Sequence, residues 1–347
     1  MQDLLKNTKK LLLMKLRYIG DSIWMLPVIN NLKWNYPHLK LSVLVNEGTE
    51  DFFYLNPLVD EVLTFPRKKV KSRFGFLRFL KFIKKIRKKN FDTVIDLTDA
   101  DRPALISFLS GAKIRISYDN EHKPRRFLYT HKVNAKINKK HMVEYHLDLL
   151  KELGIKIHDT SIKIQIPDHI LNNLYQRFPQ LHNTKRKLLI HPGARNPLRQ
   201  WGTKNFAKVI SAVKDKYDII LIAAPNETHL IKDIISQINF KPLIATTELN
   251  LIEFAGICKI CDLYLGNDTG PLHIAAAVGT FVIGIFGPTF SHLAGPWTER
   301  KIIFEAPADL KCRGCYQEFC LNQEYKACLK TISPKVIISA ILNLTIK

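Results

Sequence analysis

"YLGNDTGPLHIAAAVGTFVIGIFGPT", Tyr264 to Thr289, holds an apolar run, a polar turn bracketed by glycines, an alanine-rich stretch and a second apolar run. The apolar runs are short and partly β-branched, and the stretch between them is rich in alanine, so the segment predicts strand, helix, strand. Strands joined by a helix run parallel, and strands without polar alternation are covered on both faces. The same alternation fills most of the chain. "KLLLMKL", "LKLSVLV", "DEVLTF", "FDTVIDL" and "KIRISY" lie in the first half, and "KLLIHPG", "YDIILIAAP", "KPLIATT", "DLYLGND" and "TFVIGIFGP" in the second. This predicts an α/β protein built on doubly wound parallel sheets. The polar stretch "IQIPDHILNNLYQRFPQLHNTKRK" divides the two series, with a boundary expected within 165–186. The expected domains are 1–170 and 185–330, both Rossmann-like and facing a cleft, with 331–347 as a terminal helix packed back on the first. In such sheets ligands sit beyond the carboxyl ends of the strands.

A chain of 347 residues, 46% of them hydrophobic, is long enough for two cores. No apolar run approaches the roughly 20 residues that span a bilayer. The opening "MQDLLKNTKKLLLMKLRYIG" lacks a small-residue cleavage site and reads as a buried first strand, so a cytoplasmic protein is expected. The net charge of +22 is concentrated. "RKKVKSRFGFLRFLKFIKKIRKK", residues 67–89, carries twelve Lys or Arg and no acid, interleaved with Phe, Leu and Ile. That pattern suits an amphipathic helix on an anionic membrane surface. Phosphate backbones of nucleic acid attract the same charge, and a solvated helix face is the plain alternative. Among six cysteines, Cys258 and Cys261 lie in an apolar segment, whereas Cys312, Cys315, Cys320 and Cys328 crowd into "CRGCYQEFCLNQEYKAC". Four close thiols suggest a structural metal such as zinc, although their spacing fits no standard zinc module and free thiols are the alternative.

Four polar clusters follow strands. At "LRYIGDSIW", Asp21 is either a helix N-cap or a general base. In "HPGARNPLRQWGTKNF", Arg195 and Arg199 lie in a loop before a helix, where guanidiniums suit phosphate or are ordinary surface charges. In "AAPNETHL", Glu227 either holds ribose hydroxyls or complements a helix dipole. In the opening stretch, Asp268 is expected to cap the helix and Pro271 to occupy its first turn. The amides of Thr269, Gly270 and Leu272 would then face an anion, with His273 beside them.

"KLRYIGDSIWMLPVINNLKWNYP", "HPGARNPLRQWGTKNFAKVI" and "LGNDTGPLHIAAAVGTFVIGIFGPT" resemble the three signature regions of glycosyltransferase family 9, the ADP-heptose:lipopolysaccharide heptosyltransferases. The resemblance runs over essentially the whole chain and includes "FLYTHKV…HMVEYHLDLLKELGI". It implies a GT-B fold with an acceptor-binding first domain, a nucleotide-sugar-binding second domain, and inverting transfer without a catalytic metal. Carried over by residue, Asp21 matches the catalytic base, Asp268, Thr269, Gly270 and His273 match the diphosphate loop, and Glu227 matches an acid that contacts the nucleoside. Arg199 stands where the family usually has a lysine, which keeps the charge and exchanges a compact ammonium for a fork. The resemblance also gives the basic stretch an acidic lipopolysaccharide precursor at the inner membrane, rather than nucleic acid, as its expected partner. Arg102 and Arg115, on first-domain strand ends, are the candidates for gripping acidic acceptor sugars. A transferase using another nucleotide sugar and a non-catalytic nucleotide- or lipopolysaccharide-binding protein are the alternatives.

Overall fold

The computed structural model describes residues 4–67, 75–119, 123–135, 140–315, 317 and 319–345. The chain divides into two compact units, Met1–Ile162 and Lys163–Lys347, so the boundary lies just ahead of the expected stretch.

The first unit is built on β1 (Lys10–Lys15), β2 (Lys40–Asn46), β3 (Glu61–Phe65), β4 (Thr93–Asp96), β5 (Ile114–Tyr118) and β6 (His131–Val133). Their order is β3-β2-β1-β4-β5-β6, and every pairing is parallel. Leu11, Leu12, Leu13 and Met14 of β1 are wholly buried, as the continuous apolar run requires of a strand covered on both faces. The second unit repeats the plan with β7 (Lys187–His191), β8 (Asp218–Ile222), β9 (Ile244–Thr246), β10 (Leu263–Asn267), β11 (Phe281–Phe286) and β12 (Lys301–Glu305). Its order, β12-β11-β10-β7-β8-β9, is again parallel throughout. In both sheets the order reverses beside the first strand, between β1 and β4 and between β7 and β10. Those two switch points are where a doubly wound sheet leaves a crevice at its carboxyl edge.

The helix Gly270–Ala277 lies between β10 and β11, and every residue from Leu272 to Ala277 is buried. Its run of alanines is what lets a helix backbone approach a sheet this closely. The terminal helix Pro334–Asn343, expected to fold back on the first domain, instead buries Ile337 and Ile341 in the core of the second unit. Lys216 donates to the carbonyls of Ile341 and Leu342 at 3.3 and 2.6 Å, tying down its last turn.

The basic stretch is divided. Residues 68–74 lie outside the described residues, and Gly75–Arg87 forms a helix. Phe82, Ile83 and Ile86 are buried in the core of the first unit, with Phe79 packed against it. Half of the apolar residues that suggested a membrane face are therefore core. Phe76, Leu77 and Leu80 remain exposed, at 73%, 57% and 44%. Among the described residues no helix is long and apolar enough to cross a membrane.

Candidate functional site

At the switch point of the second unit, two loops are held by one side chain. Asn267, the last residue of β10, is wholly buried, and its Nδ2 donates to the carbonyls of Pro192 and Gly193 at 2.7 and 3.2 Å. Its Oδ1 accepts the Trp201 amide at 3.0 Å. One amide thus fixes the "HPG" turn after β7 and the "QWG" turn beyond it. The sequence signal was present, because a polar residue closing the buried run "LYLGN" must find partners.

Arg199, ending a short 3-10 turn, places Nη1 2.9 Å from Oδ2 of Asp268 and 3.4 Å from the Asp268 carbonyl oxygen. Thr289 donates to the same Oδ2 at 2.6 Å. Asp268 is 4% exposed and Arg199 one-third exposed, so the carboxylate anchors the guanidinium from below. This corrects the expected cap. The helix Gly270–Ala277 takes Thr269 as its N-cap, without a side-chain cap bond, and the Thr269 hydroxyl donates back to Asn267 O at 3.3 Å. Leu272 is also corrected as an anion donor, since its amide donates to Thr269 O at 3.1 Å. The amides of Thr269 and Gly270 have no acceptor among the described residues. They follow directly on the Asp268 carbonyl that Arg199 touches. His273 is buried in the first helical turn, and Arg195 is exposed on the neighbouring loop.

Glu227, 7% exposed, accepts the Ala224 amide at 3.1 Å and closes a turn after β8. A Cβ on Gly193 would overlap the Glu227 carboxylate where it stands, so glycine here lets the turn after β7 lie against Glu227 without displacing it. Burial pushes the His191 imidazole below its usual range, and the Glu227 carboxylate opposes that shift. The second unit therefore gathers a one-third-exposed cation, two amides without an acceptor among the described residues and a buried acid at one sheet edge, a set suited to a nucleoside diphosphate.

In the first unit, Asp21 is not the N-cap of its helix. Ile19–Ile23 is capped by Tyr18, whose carbonyl accepts from the Ser22 amide and hydroxyl. Among the described residues Asp21 forms no hydrogen bond or ion pair, leaving its carboxylate available. Beneath it lies a buried polar chain that the sequence reading missed. Lys15 ends β1 at 2% exposure, and its Nζ donates to Leu97 O at 2.8 Å and to Nε2 of His146 at 3.0 Å. Burial holds His146 well below its usual range and so neutral, which makes Nδ1–H the donor to the Tyr118 hydroxyl 2.6 Å away. Burial lowers Lys15 to about 8; Asp21 is the largest charge that opposes the shift, Arg17 adds to it, and Asp96 and Asp99 oppose it. The signal for Lys15 was a charge closing directly onto the wholly buried apolar run Leu11–Met14.

The two acceptor candidates separate. Arg102 lies in the first turn of the helix Asp101–Leu109, at the carboxyl edge of the sheet. Arg115 is the second residue of β5, at the opposite edge, and donates to Leu128 O and Ala112 O, each at 2.8 Å, beneath the Phe108 ring. Its guanidinium is engaged in local structure, away from the edge where Arg102 lies. The expected metal at the cysteine cluster finds no support. Among the described residues no group of three or more His, Cys, Asp or Glu is placed to hold a metal ion, and all six thiols are free. Cys312 and Cys320 instead accept hydrogen bonds from Asn322 and from the Lys326 amide, and Cys328 is buried.

Residues 79–326 match the family described as glycosyltransferase family 9 (heptosyltransferase). The chain is 30% identical over 298 residues to lipopolysaccharide heptosyltransferase 3 of Escherichia coli K12, covering 84% of this chain and 86% of that one. It is 25% identical over 345 residues to lipooligosaccharide heptosyltransferase 2 of Campylobacter jejuni serotype O:6, covering 94% and 96%. Among solved structures, a family 9 glycosyltransferase from Veillonella parvula superposes with a TM-score of 0.82 at 22% identity, covering 96% of each chain. The E. coli heptosyltransferase WaaC with ADP superposes with a TM-score of 0.75 at 18% identity, covering 96% and 99%. These likenesses give the fold as GT-B.

Proposed function

The chain belongs to glycosyltransferase family 9, and from that premise we propose that it transfers heptose from ADP-heptose to an inner-core sugar of lipopolysaccharide, with inversion. The observation that carries this reading is Arg199, anchored on Asp268 beside the Thr269 and Gly270 amides. As the bond between the anomeric carbon and the diphosphate oxygen breaks, charge gathers on the leaving ADP. A fixed cation and two preset donors stabilise that charge more than they stabilise the intact donor, which lowers the barrier. The acceptor hydroxyl oxygen forms the new bond to the same carbon, and its proton passes to the Asp21 carboxylate. Carboxylates are weak bases, so the proton moves late, once the oxygen has become acidic. Glu227 is assigned to the nucleoside, and no metal is assigned a part in the step.

The test is a transfer assay with defined core-truncated lipopolysaccharides, read by mass spectrometry, supplying ADP-heptose, UDP-sugars or GDP-sugars in parallel. The expected product is the acceptor plus one heptose, from ADP-heptose alone. Transfer from a UDP- or GDP-sugar would assign a different donor, and nucleotide binding without product would make the chain a binding protein.

The helix Gly75–Arg87 is assigned to the anionic membrane surface that carries such acceptors. Phe76, Leu77 and Leu80 are exposed on it, and Lys81, Lys84, Lys85 and Lys88 have no ion-pair partner among the described residues, whereas Lys89 pairs with Glu61. Each lysine near an anionic surface is worth about 1 kcal/mol. Neutralising those four to Gln should weaken co-sedimentation with phosphatidylglycerol vesicles at least about tenfold at low salt. Equal binding to neutral vesicles would remove this surface from the reading.

A further inference from the structure

The first unit has its own switch point, between β1 and β4, and the chain surrounds it with unpaired cations. Arg17 follows β1, Arg67 follows β3, and Arg102 opens the helix after β4; together they line a cavity of about 140 Å³. Its walls are fixed. Asn46 donates to Arg17 O at 2.8 Å, and the Leu16 amide donates to the Thr98 hydroxyl at 2.8 Å. Arg67 lies 5.5 Å over the Tyr18 ring and Arg102 5.4 Å over the Phe65 ring, so both guanidiniums are held over aromatic faces at the cavity.

None of the three arginines has a carboxylate within ion-pair distance among the described residues. The nearby acids are already taken, since Arg125 pairs with Asp99 and Asp101, each at 3.0 Å. Three like charges converging on one cavity repel one another and attract an anion. The number of forks decides which anion. A carboxylate offers two oxygens, which one guanidinium can satisfy bidentately. Three guanidiniums suit a phosphate monoester, with three terminal oxygens and a charge of about −1.5 to −2. The cavity wall is continuous in the chain with the helix that carries Asp21, because Tyr18 lines the cavity and caps Ile19–Ile23.

We propose that Arg17, Arg67 and Arg102 bind a phosphate monoester on the acceptor sugar, close to the hydroxyl that Asp21 activates. This rests on the transferase reading above for the word acceptor, but binding of phosphate by the cavity can be measured without any transfer.

The full chain is titrated calorimetrically with inorganic phosphate while saturating ADP occupies the second unit. Arg67→Gln and Arg102→Gln should each weaken phosphate at least about tenfold, the loss of one charge-assisted contact, with ADP affinity unchanged. Arg102→Lys should recover part of the loss, and acetate should bind at least about tenfold more weakly than phosphate. Phosphate affinity indifferent to both Gln variants would overturn the site, and acetate binding as tightly as phosphate would overturn the phosphate assignment. In the transfer assay, phosphatase treatment of the acceptor should raise KM for wild type and leave KM of the Arg67→Gln/Arg102→Gln double variant unchanged. A chain that binds phosphate here yet transfers no heptose would sink the transferase reading and keep the cavity. Transfer that ignores phosphatase treatment would keep the reading and sink the proposal.

Discussion

Asp21→Asn is expected to lower kcat by about 10²–10⁴-fold while leaving ADP affinity unchanged. Asparagine matches the carboxylate in shape and cannot take the acceptor proton, and the residues assigned to ADP all lie in the other unit. Stability supplies a second readout through Lys15. Burial lowers that ammonium to about 8, and Asp21 is the largest charge resisting the shift, against Arg17 and alongside Asp96 and Asp99. His146, its neutral hydrogen-bond partner, carries no charge to replace Asp21. A lysine whose folded value lies below its unfolded value costs stability in full below the folded value, and the cost fades as pH rises toward the unfolded value. Removing Asp21 deepens that cost only where Lys15 is still charged in the wild type. Asp21→Asn should therefore melt below wild type at pH 7, and the gap should close above about pH 8. A variant that keeps wild-type turnover would free Asp21 from its role as base. A gap in melting temperature that does not change with pH would separate Lys15 from Asp21.

The strands that the sequence revealed most plainly were those buried on both faces. β1, β7, β10 and β11 each read as a nearly continuous apolar run, because both sides of a parallel sheet are covered; β3 and β9 lie at edges and are only partly buried, yet keep enough apolar residues to be read. β6 and β12 were missed, and both are edge strands. β6 has three residues, two of them exposed, and β12 has no fully buried residue, so neither needs an apolar run. The terminal helix was misplaced because its apolar pattern shows that a face is buried without saying against which core. At the sites, single residues at strand ends were legible one by one. Pairings were not, since Arg199 and Asp268 are far apart in sequence and nothing local joins them. The assumption that Asp268 caps a helix followed local rules, and the pull of Arg199 and Thr289 on its carboxylate is a tertiary effect. Arg17 went unnoticed and Arg67 was read only as the first residue of the basic stretch for the same reason, being two more cations in a very basic chain until the sheet brings them to one cavity.

Arg199→Ala should lower kcat about 10²–10³-fold, the loss typical of one preset donor to a developing negative charge. It should also destabilise the second unit by about 2 kcal/mol. That is less than the 3–5 kcal/mol for breaking a fully buried pair, because Arg199 is 33% exposed while Asp268 is not. The two effects are separable. In Arg199→Ala/Asp268→Ala the stranded carboxylate is gone, so most of the stability should return while turnover stays low. Arg199→Lys installs the residue expected from the family resemblance. A point charge can still pair with Asp268, so turnover should stay within about tenfold of wild type, with donor KM raised by the lost fork. If the double variant recovered turnover along with melting temperature, Arg199 would be holding the loop rather than the diphosphate. If Arg199→Lys fell as far as Arg199→Ala, the planar fork itself would be what the leaving group requires. In either outcome the buried Asp268, shared between Arg199 and Thr289, holds a cation at the mouth of the helix Gly270–Ala277, where the Thr269 and Gly270 amides have no acceptor among the described residues.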